Sequence, residues 1–323
     1  MESGIIVFPP NKSQIISLQF LCGANPKQFE SLLDSLIAYK KTTDVIFIVG
    51  EFNSKKLNKN IIEKISLAGF KMMQIGVEAI SDRKLKKIEK HASFINHLLS
   101  FKFCYKYDLV ITGSNLITGF PDDDIQDVVD SVNNLHYLRF YFKSGLFLRI
   151  TDLCIKMTSK YYSQMDEKDR SNLHSNLSLL IADERILKNK FYFFEHLNIG
   201  KKGLWIHLNE ILQFYSNNKF SYIVCQQKTS DSLSFLYTEY YNDKQILNLM
   251  FNELEWFIIE ECSNKITQIE ELIYRVNNKY PDVSSTTIKT IISDLNKERL
   301  VYVDHYTEEV FCIIDSEIFD RLL

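Results

Sequence analysis

MMQIGVEA (72–79) reads as a buried strand with helix-forming sequence on both sides. Upstream, residues 58–68 bring Ile61, Ile62, Ile65 and Leu67 round at helical spacing, and Gly69 ends that helix. Downstream, residues 81–106 are helical material, and DLVITG (108–113) is the next strand. The same rhythm extends outward. QIISLQFL (14–21) is a β-prone apolar run, Pro26 opens a helix carrying Phe29, Leu32, Leu33, Leu36 and Ile37, and DVIFIV (44–49) is a second strand. Gly119-Phe120-Pro121 make a turn before a helix with Asp122, Asp123 and Asp124 in its first turn, and residues 146–150 form a further strand. Strand and helix alternating at this spacing predict a parallel sheet of βαβ units, hence an α/β fold.

After about residue 155 the rhythm changes. Residues 160–219 read as helical and aromatic-rich with no regular strand. FSYIVCQQ and SLSFLYTEYY, within 220–241, read as two strands around Thr229-Ser230-Asp231. Residues 246–298 read as three helices, followed by LVYVDH and EVFCIID as two short strands joined by Tyr306-Thr307-Glu308. Three helices and a hairpin are the order of a winged helix. The expected organisation is a first unit over 1–155, a helical connecting region over 156–219 and a winged-helix-like module over 220–323.

Composition limits the function classes. Of 323 residues, 46% are hydrophobic and only 15 are Pro or Gly, which excludes a disordered chain. Lys+Arg 38 against Asp+Glu 41 give a net charge of −3, so nucleic-acid binding is not expected from bulk charge. No apolar run approaches the roughly 18 residues of a membrane span, and the first ten residues lack the pattern of a secretory signal. A cytoplasmic protein with reduced thiols is the expectation.

Signatures of nucleophile-elbow hydrolases, Walker nucleotide sites, zincins and dinucleotide folds are missing from the sequence. His91 and His97, six apart, fall on different helix faces and make a poor metal pair. Asp122, Asp123 and Asp124 have two readings, a Mg²⁺ cluster or a solvated helix start, and the second is the commoner. Phe191-Tyr192-Phe193-Phe194 reads either as a ligand groove or as a buried helix face.

Several stretches, taken in order, resemble the cobalamin-dependent radical S-adenosylmethionine enzymes that modify ribosomally made peptides. They are Leu21-Cys22-Gly23-Ala24-Asn25, Ala68-Gly69-Phe70, Gln74-Ile75-Gly76-Val77-Glu78-Ala79-Ile80-Ser81, Asn96 to Cys104 and Asn115-Leu116-Ile117-Thr118-Gly119-Phe120-Pro121. Arg149, Trp205, Ile223-Val224 and Leu300-Val301 continue the order. The resemblance implies a partial (β/α) barrel over 1–155 in which Glu78, Asn115 and Arg149 would face a pocket for S-adenosylmethionine. The alternative for Glu78 is a structural acid satisfied by the backbone.

The chain departs from that family at its defining motif. With Cys22 as the third cysteine of Cys-x3-Cys-x2-Cys, the other two positions hold Ile15 and Gln19. No cysteine precedes Cys22, and the next is Cys104, so a [4Fe-4S] cluster is not expected and Cys22 is at most a vestigial position. The family's cobalamin domain is also not recognisable here. The expectation is a degenerate, non-catalytic relative: a partner or peptide-binding subunit in peptide natural-product biosynthesis, working beside a biosynthetic enzyme or as a homo-oligomer. Two alternatives stand beside it. One is a SAM-binding enzyme, of methyltransferase or radical type, whose site another chain completes. The other is a winged-helix DNA-binding regulator.

Overall fold

The computed structural model describes residues 15–16, 26–40, 46–120, 122–156, 159–171, 173–175, 193–196, 203–228 and 233–316. The first half alternates β1 (Ile15–Ile16), α1 (Pro26–Lys40), β2 (Ile46–Phe52), α2 (Lys59–Leu67), β3 (Phe70–Ile75), α3 (Asp82–Lys87), α4 (Phe94–Lys106), β4 (Val110–Thr118), α5 (Ile125–Leu135) and β5 (Leu146–Asp152). The five strands form one parallel sheet in the order β1-β2-β3-β4-β5, with β1 supplying two residues. Each strand lies beside its predecessor. A helix stands in each crossover between them. The mixed α/β fold with a parallel sheet is as expected.

Several element boundaries differ from the sequence reading. β3 begins at Phe70 and leaves the sheet after Ile75, so residues 76–79 are not strand. β4 does not stop at Gly113. That glycine takes φ +68°, the register to β5 shifts between Ile111 and Ser114, and the strand resumes to Thr118. A Cβ at Gly113 would stand 3.1 Å from the Gln74 side chain, so glycine is needed there on two counts. Asp122 and Asp123 precede α5, and Asp124 is its N-cap, accepting from the Asp127 amide.

The second half comprises β6 (Cys154–Lys156), α6 (Lys160–Gln164), α7 (Glu167–Ser171), β7 (Leu173–Ser175), β8 (Phe193–His196), α8 (Ile206–Asn217), β9 (Phe220–Lys228), β10 (Leu233–Tyr241), β11 (Lys244–Asn252), α9 (Glu253–Ser263), β12 (Thr267–Gln268), α10 (Ile269–Lys279), α11 (Ser285–Lys297), β13 (Val301–Asp304) and β14 (Glu309–Cys312). Two expectations are corrected here. The connecting region does contain strands: β6, β8 and β7 pair antiparallel, and Phe193 and Phe194 lie in β8 rather than on a helix. Phe191, Tyr192 and the Thr229-Ser230-Asp231 turn lie outside the described residues. Residues 244–252 form the third strand of a β11-β10-β9 sheet, so the helices begin at Glu253.

One apolar core runs from Leu33 on α1 to Ile314 beyond β14. Buried polar links tie its halves together. Lys102 on α4 donates to the carbonyls of Ser263 (2.6 Å), Cys312 (3.0 Å) and Ile314 (2.6 Å). Arg139, just after α5, grips Glu239 on β10 with two bonds of 2.8 Å. Tyr141 donates its hydroxyl to the Ile313 carbonyl and Tyr302 to Asp82. Among the described residues no helix is long and apolar enough to cross a membrane.

Candidate functional site

Parallel strands are usually apolar on both faces because both are covered. This sheet departs from that rule. Glu51, Gln74 and Thr112 are register neighbours across β2, β3 and β4, and all three keep partial exposure. Nearer the carboxyl ends, Asn115 on β4 and Arg149 on β5 are register partners, and both are exposed. Phe147, 53% exposed, lies two residues before Arg149 on β5. A polar patch therefore occupies the carboxyl half of the sheet, where α/β folds place ligands.

Glu78 lies at the same end but is differently engaged. Past β3 the chain takes φ +57° at Glu78 and makes one parallel bridge to Leu116, with the Ile117 N–H donating to the Glu78 carbonyl at 2.8 Å. The Glu78 carboxylate is ion-paired with Lys90. A Cβ on Gly76 would meet Glu78 Oε1 at 3.3 Å and Lys90 Nζ at 3.4 Å, so the pair lies against that glycine. Beneath it His97 is fully buried, and burial, with the charge of Lys90, lowers its pKa to about 3. Of the three residues singled out, Asn115 and Arg149 are side by side and solvent-facing, while Glu78 is held by a cation of its own chain. Gln74 and Glu51 were not singled out. The polar Gln74 inside an otherwise apolar 72–75 run is the signal that could have found the first.

The turn after β4 is a second polar centre. Asp123 Oδ2 accepts from the Gly119 amide (2.9 Å), the Phe120 amide (3.1 Å) and Trp205 Nε1 (3.0 Å). Its Oδ1 accepts from Lys84 Nζ at 2.8 Å. That ammonium sits 4.0 Å from the Trp205 ring centroid and 5.0 Å from that of Phe120. Burial pulls the Lys84 pKa down, against Asp123. Asp124 and Asp127 are held by Arg83 and Lys87. Five carboxylate–cation contacts of this kind engage Asp123, Asp124 and Asp127 within the fold. Among the described residues no group of three His, Cys, Asp or Glu is placed to hold a metal.

Cys22 lies outside the described residues. Cys104, Cys262 and Cys312 are buried, and Cys154 and Cys225 are exposed.

Comparison with protein-family models finds no match, and comparison with curated proteins finds none either. Among solved structures, the neighbours are radical S-adenosylmethionine enzymes at low identity. The methyltransferase TsrM from Kitasatospora setae is 12% identical over 39% of this chain and 24% of its own, with a TM-score of 0.33. Elp3 from the archaeon Methanocaldococcus infernus is 12% identical over 73% of this chain and 68% of its own, at 0.35. The Escherichia coli coproporphyrinogen III oxidase HemN is 10% identical over 94% and 75%, at 0.35. The chain thus spans about a quarter of the length of TsrM.

Proposed function

We propose that this chain is a non-catalytic, radical-SAM-like subunit that binds a peptide, or a partner enzyme presenting an extended segment, in peptide natural-product biosynthesis. The observation that carries the reading is the free edge of β11. This strand is nine residues long, and among the described residues only β10 pairs with it. Its outward side chains include Ile246 (52% exposed) and Met250 (54% exposed). An unpaired edge strand with exposed apolar side chains is a pairing liability unless another strand covers it. An extended peptide adding to that edge would gain main-chain hydrogen bonds and seat alternate side chains on Ile246 and Met250.

Two features support the non-catalytic half. Ile15 and Gln19 stand where the cluster thiolates would be needed, and four-iron clusters are held by cysteine. The Glu78 carboxylate is matched by Lys90. The module after β11 runs α9, β12, α10, α11, β13, β14, with β12 pairing to β14, and we take it as winged-helix-like. A DNA-reading role fits it less well. On α11, Lys289 is paired with Glu270 and Lys297 with Asp294, while Tyr306 at the hairpin turn lies under Lys86 of α3.

The test uses precursor peptides encoded by neighbouring genes, labelled for fluorescence anisotropy against the full chain. Binding is expected, and Ile246→Lys with Met250→Lys should weaken it about tenfold or more. Absence of binding to every such peptide, with no co-purifying neighbour, ends the reading. The exposed Asn115–Arg149 pair favours a second reading, a SAM site completed by another chain. Anaerobic reconstitution yielding about four irons per chain would establish that reading instead.

A further inference from the structure

A cavity of about 320 Å³ opens at the seam where α3 and α5 meet the end of α11, β13 and the hairpin turn. It is separate from the strand ends and from β11. Most charges around the seam are matched by their neighbours. Arg83 is held by Asp124 and Asp127, and Asp82 accepts from the Tyr302 hydroxyl (2.7 Å) and the Phe94 amide (2.6 Å). Two charges lining the cavity are not matched in this way. Arg299 gives one guanidinium nitrogen to the Tyr137 hydroxyl at 3.3 Å and has no ion pair among the described residues. Asp130 accepts from Gln126 at 2.7 Å and likewise has no ion pair among the described residues.

One unmatched cation and one unmatched anion on the walls of the same cavity select against singly charged ligands. A simple anion would meet Asp130, and a simple cation would meet Arg299. A zwitterion satisfies both. Guanidinium binds carboxylate through two parallel N–H donors, and carboxylate accepts readily from an ammonium. The rest of the wall includes Tyr302, Val303 and Tyr306, the last with Lys86 over its ring, beside the polar Asn133, Asn134, Asn296 and His305. The volume is at the small end of ligand pockets, room for one amino acid rather than a folded peptide. Arg299 also occupies φ +57°, closing α11 where glycine or asparagine is the ordinary residue.

We propose that the seam cavity binds the zwitterionic head of an α-amino acid, carboxylate on Arg299 and ammonium on Asp130, with an apolar side chain against Tyr302, Val303 and Tyr306. The head group could belong to a free amino acid or to the end of a larger molecule, and two probes separate these sources. L-phenylalanine carries the head group with a single ring, and O-benzyl-L-tyrosine carries it at the end of a longer apolar body.

Calorimetric titration of the full chain is expected to show one site for at least one of the two probes. If L-phenylalanine binds, 3-phenylpropionate, which lacks the ammonium, and 2-phenylethylamine, which lacks the carboxylate, should bind about 10- to 100-fold more weakly. Arg299→Gln and Asp130→Asn should each weaken the binding probe by a similar factor. Thermal melts confirm that each variant is folded. Because Arg299 also touches Tyr137, Asp130→Asn is the decisive variant if Arg299→Gln melts early. No heat from either probe at about 10 mM, a concentration matching a binding energy below about 3 kcal/mol, overturns the proposal. So does equal binding of the probe and its singly charged analogues, or binding by Asp130→Asn equal to that of the native chain.

Discussion

Replacing Arg139 with Met should be among the most damaging single changes in this chain. Arg139 is 6% exposed and Glu239 is 4% exposed, so the pair is removed from water. The guanidinium holds both carboxylate oxygens at 2.8 Å and also donates to the carbonyls of His136 (2.9 Å) and Arg299 (3.1 Å). Among the described residues, Arg139→Met leaves Glu239 with only the Tyr237 hydroxyl, at 2.6 Å. A buried charge stripped of its partner costs about 3–5 kcal/mol. Unfolding entropy near 2.1 cal/mol/K per residue over 323 residues gives about 0.7 kcal/mol/K, so Tm should fall by about 4–7 °C. Arg139→Met with Glu239→Leu removes both charges and leaves only neutral groups unpaired, each at about 1–3 kcal/mol. The double variant should therefore recover part of the loss. Urea melts of the native chain, both single variants and the double variant give the coupling directly. A double variant no more stable than Arg139→Met alone would show that the pair is not what holds β10 to the end of α5.

His97 binds a proton near pH 3 in the folded chain and near 6.5 when unfolded, so acid favours unfolding between those values. Stability contributed by the neutral ring is complete above pH 6.5 and is lost by up to about 1.4 kcal/mol per unit as pH falls; His97→Phe should flatten that slope in melts at pH 7, 6 and 5. Lys102 acts in the same sense over a higher window. Burial lowers its pKa to about 8 from 10.5, so raising pH from 8 toward 10 should stabilise the native chain relative to Lys102→Met. An identical pH response of the two proteins would refute the assignment. Asp123→Ala removes four acceptor contacts at once and leaves the Lys84 ammonium buried, a loss of about 3–5 kcal/mol. Trp205 emission should shift to longer wavelength in that variant as the indole loses its anchored, buried position.

The βαβ rhythm was legible because α1 and α2 carry apolar residues at helical spacing and the strands are short apolar runs between breakers. Errors arose where two periods coincide. In β11, Leu247, Leu249 and Phe251 alternate inward as a strand requires, but Ile246 and Met250 are apolar on the outside. Positions 246, 249 and 250 then satisfy helical spacing equally well, and the strand reads as the start of a helix. Gly113 reads as a strand end, whereas the bulge uses its left-handed conformation to continue β4. At the site, Asn115 and Arg149 could be placed near each other from their strand positions. The Glu78–Lys90 pair could not, because it depends on how the segment between α3 and α4 returns to the sheet, which no local pattern encodes. The seam cavity was equally hidden: its two walls are over 150 positions apart in sequence (Asp130 to Arg299).

The buried links between Lys102 and the residues around Cys312, and between Arg139 and Glu239, bear on how the chain could be divided. A break in the covalent backbone near residue 219 would hand one fragment two cations, Lys102 and Arg139, and hand the other Glu239 and three uncapped carbonyls. Neither fragment would dissolve these groups in its own interior. Coexpressed halves should consequently reassemble rather than persist apart, and any recombination that exchanges one half must carry a matching set of charges in the other.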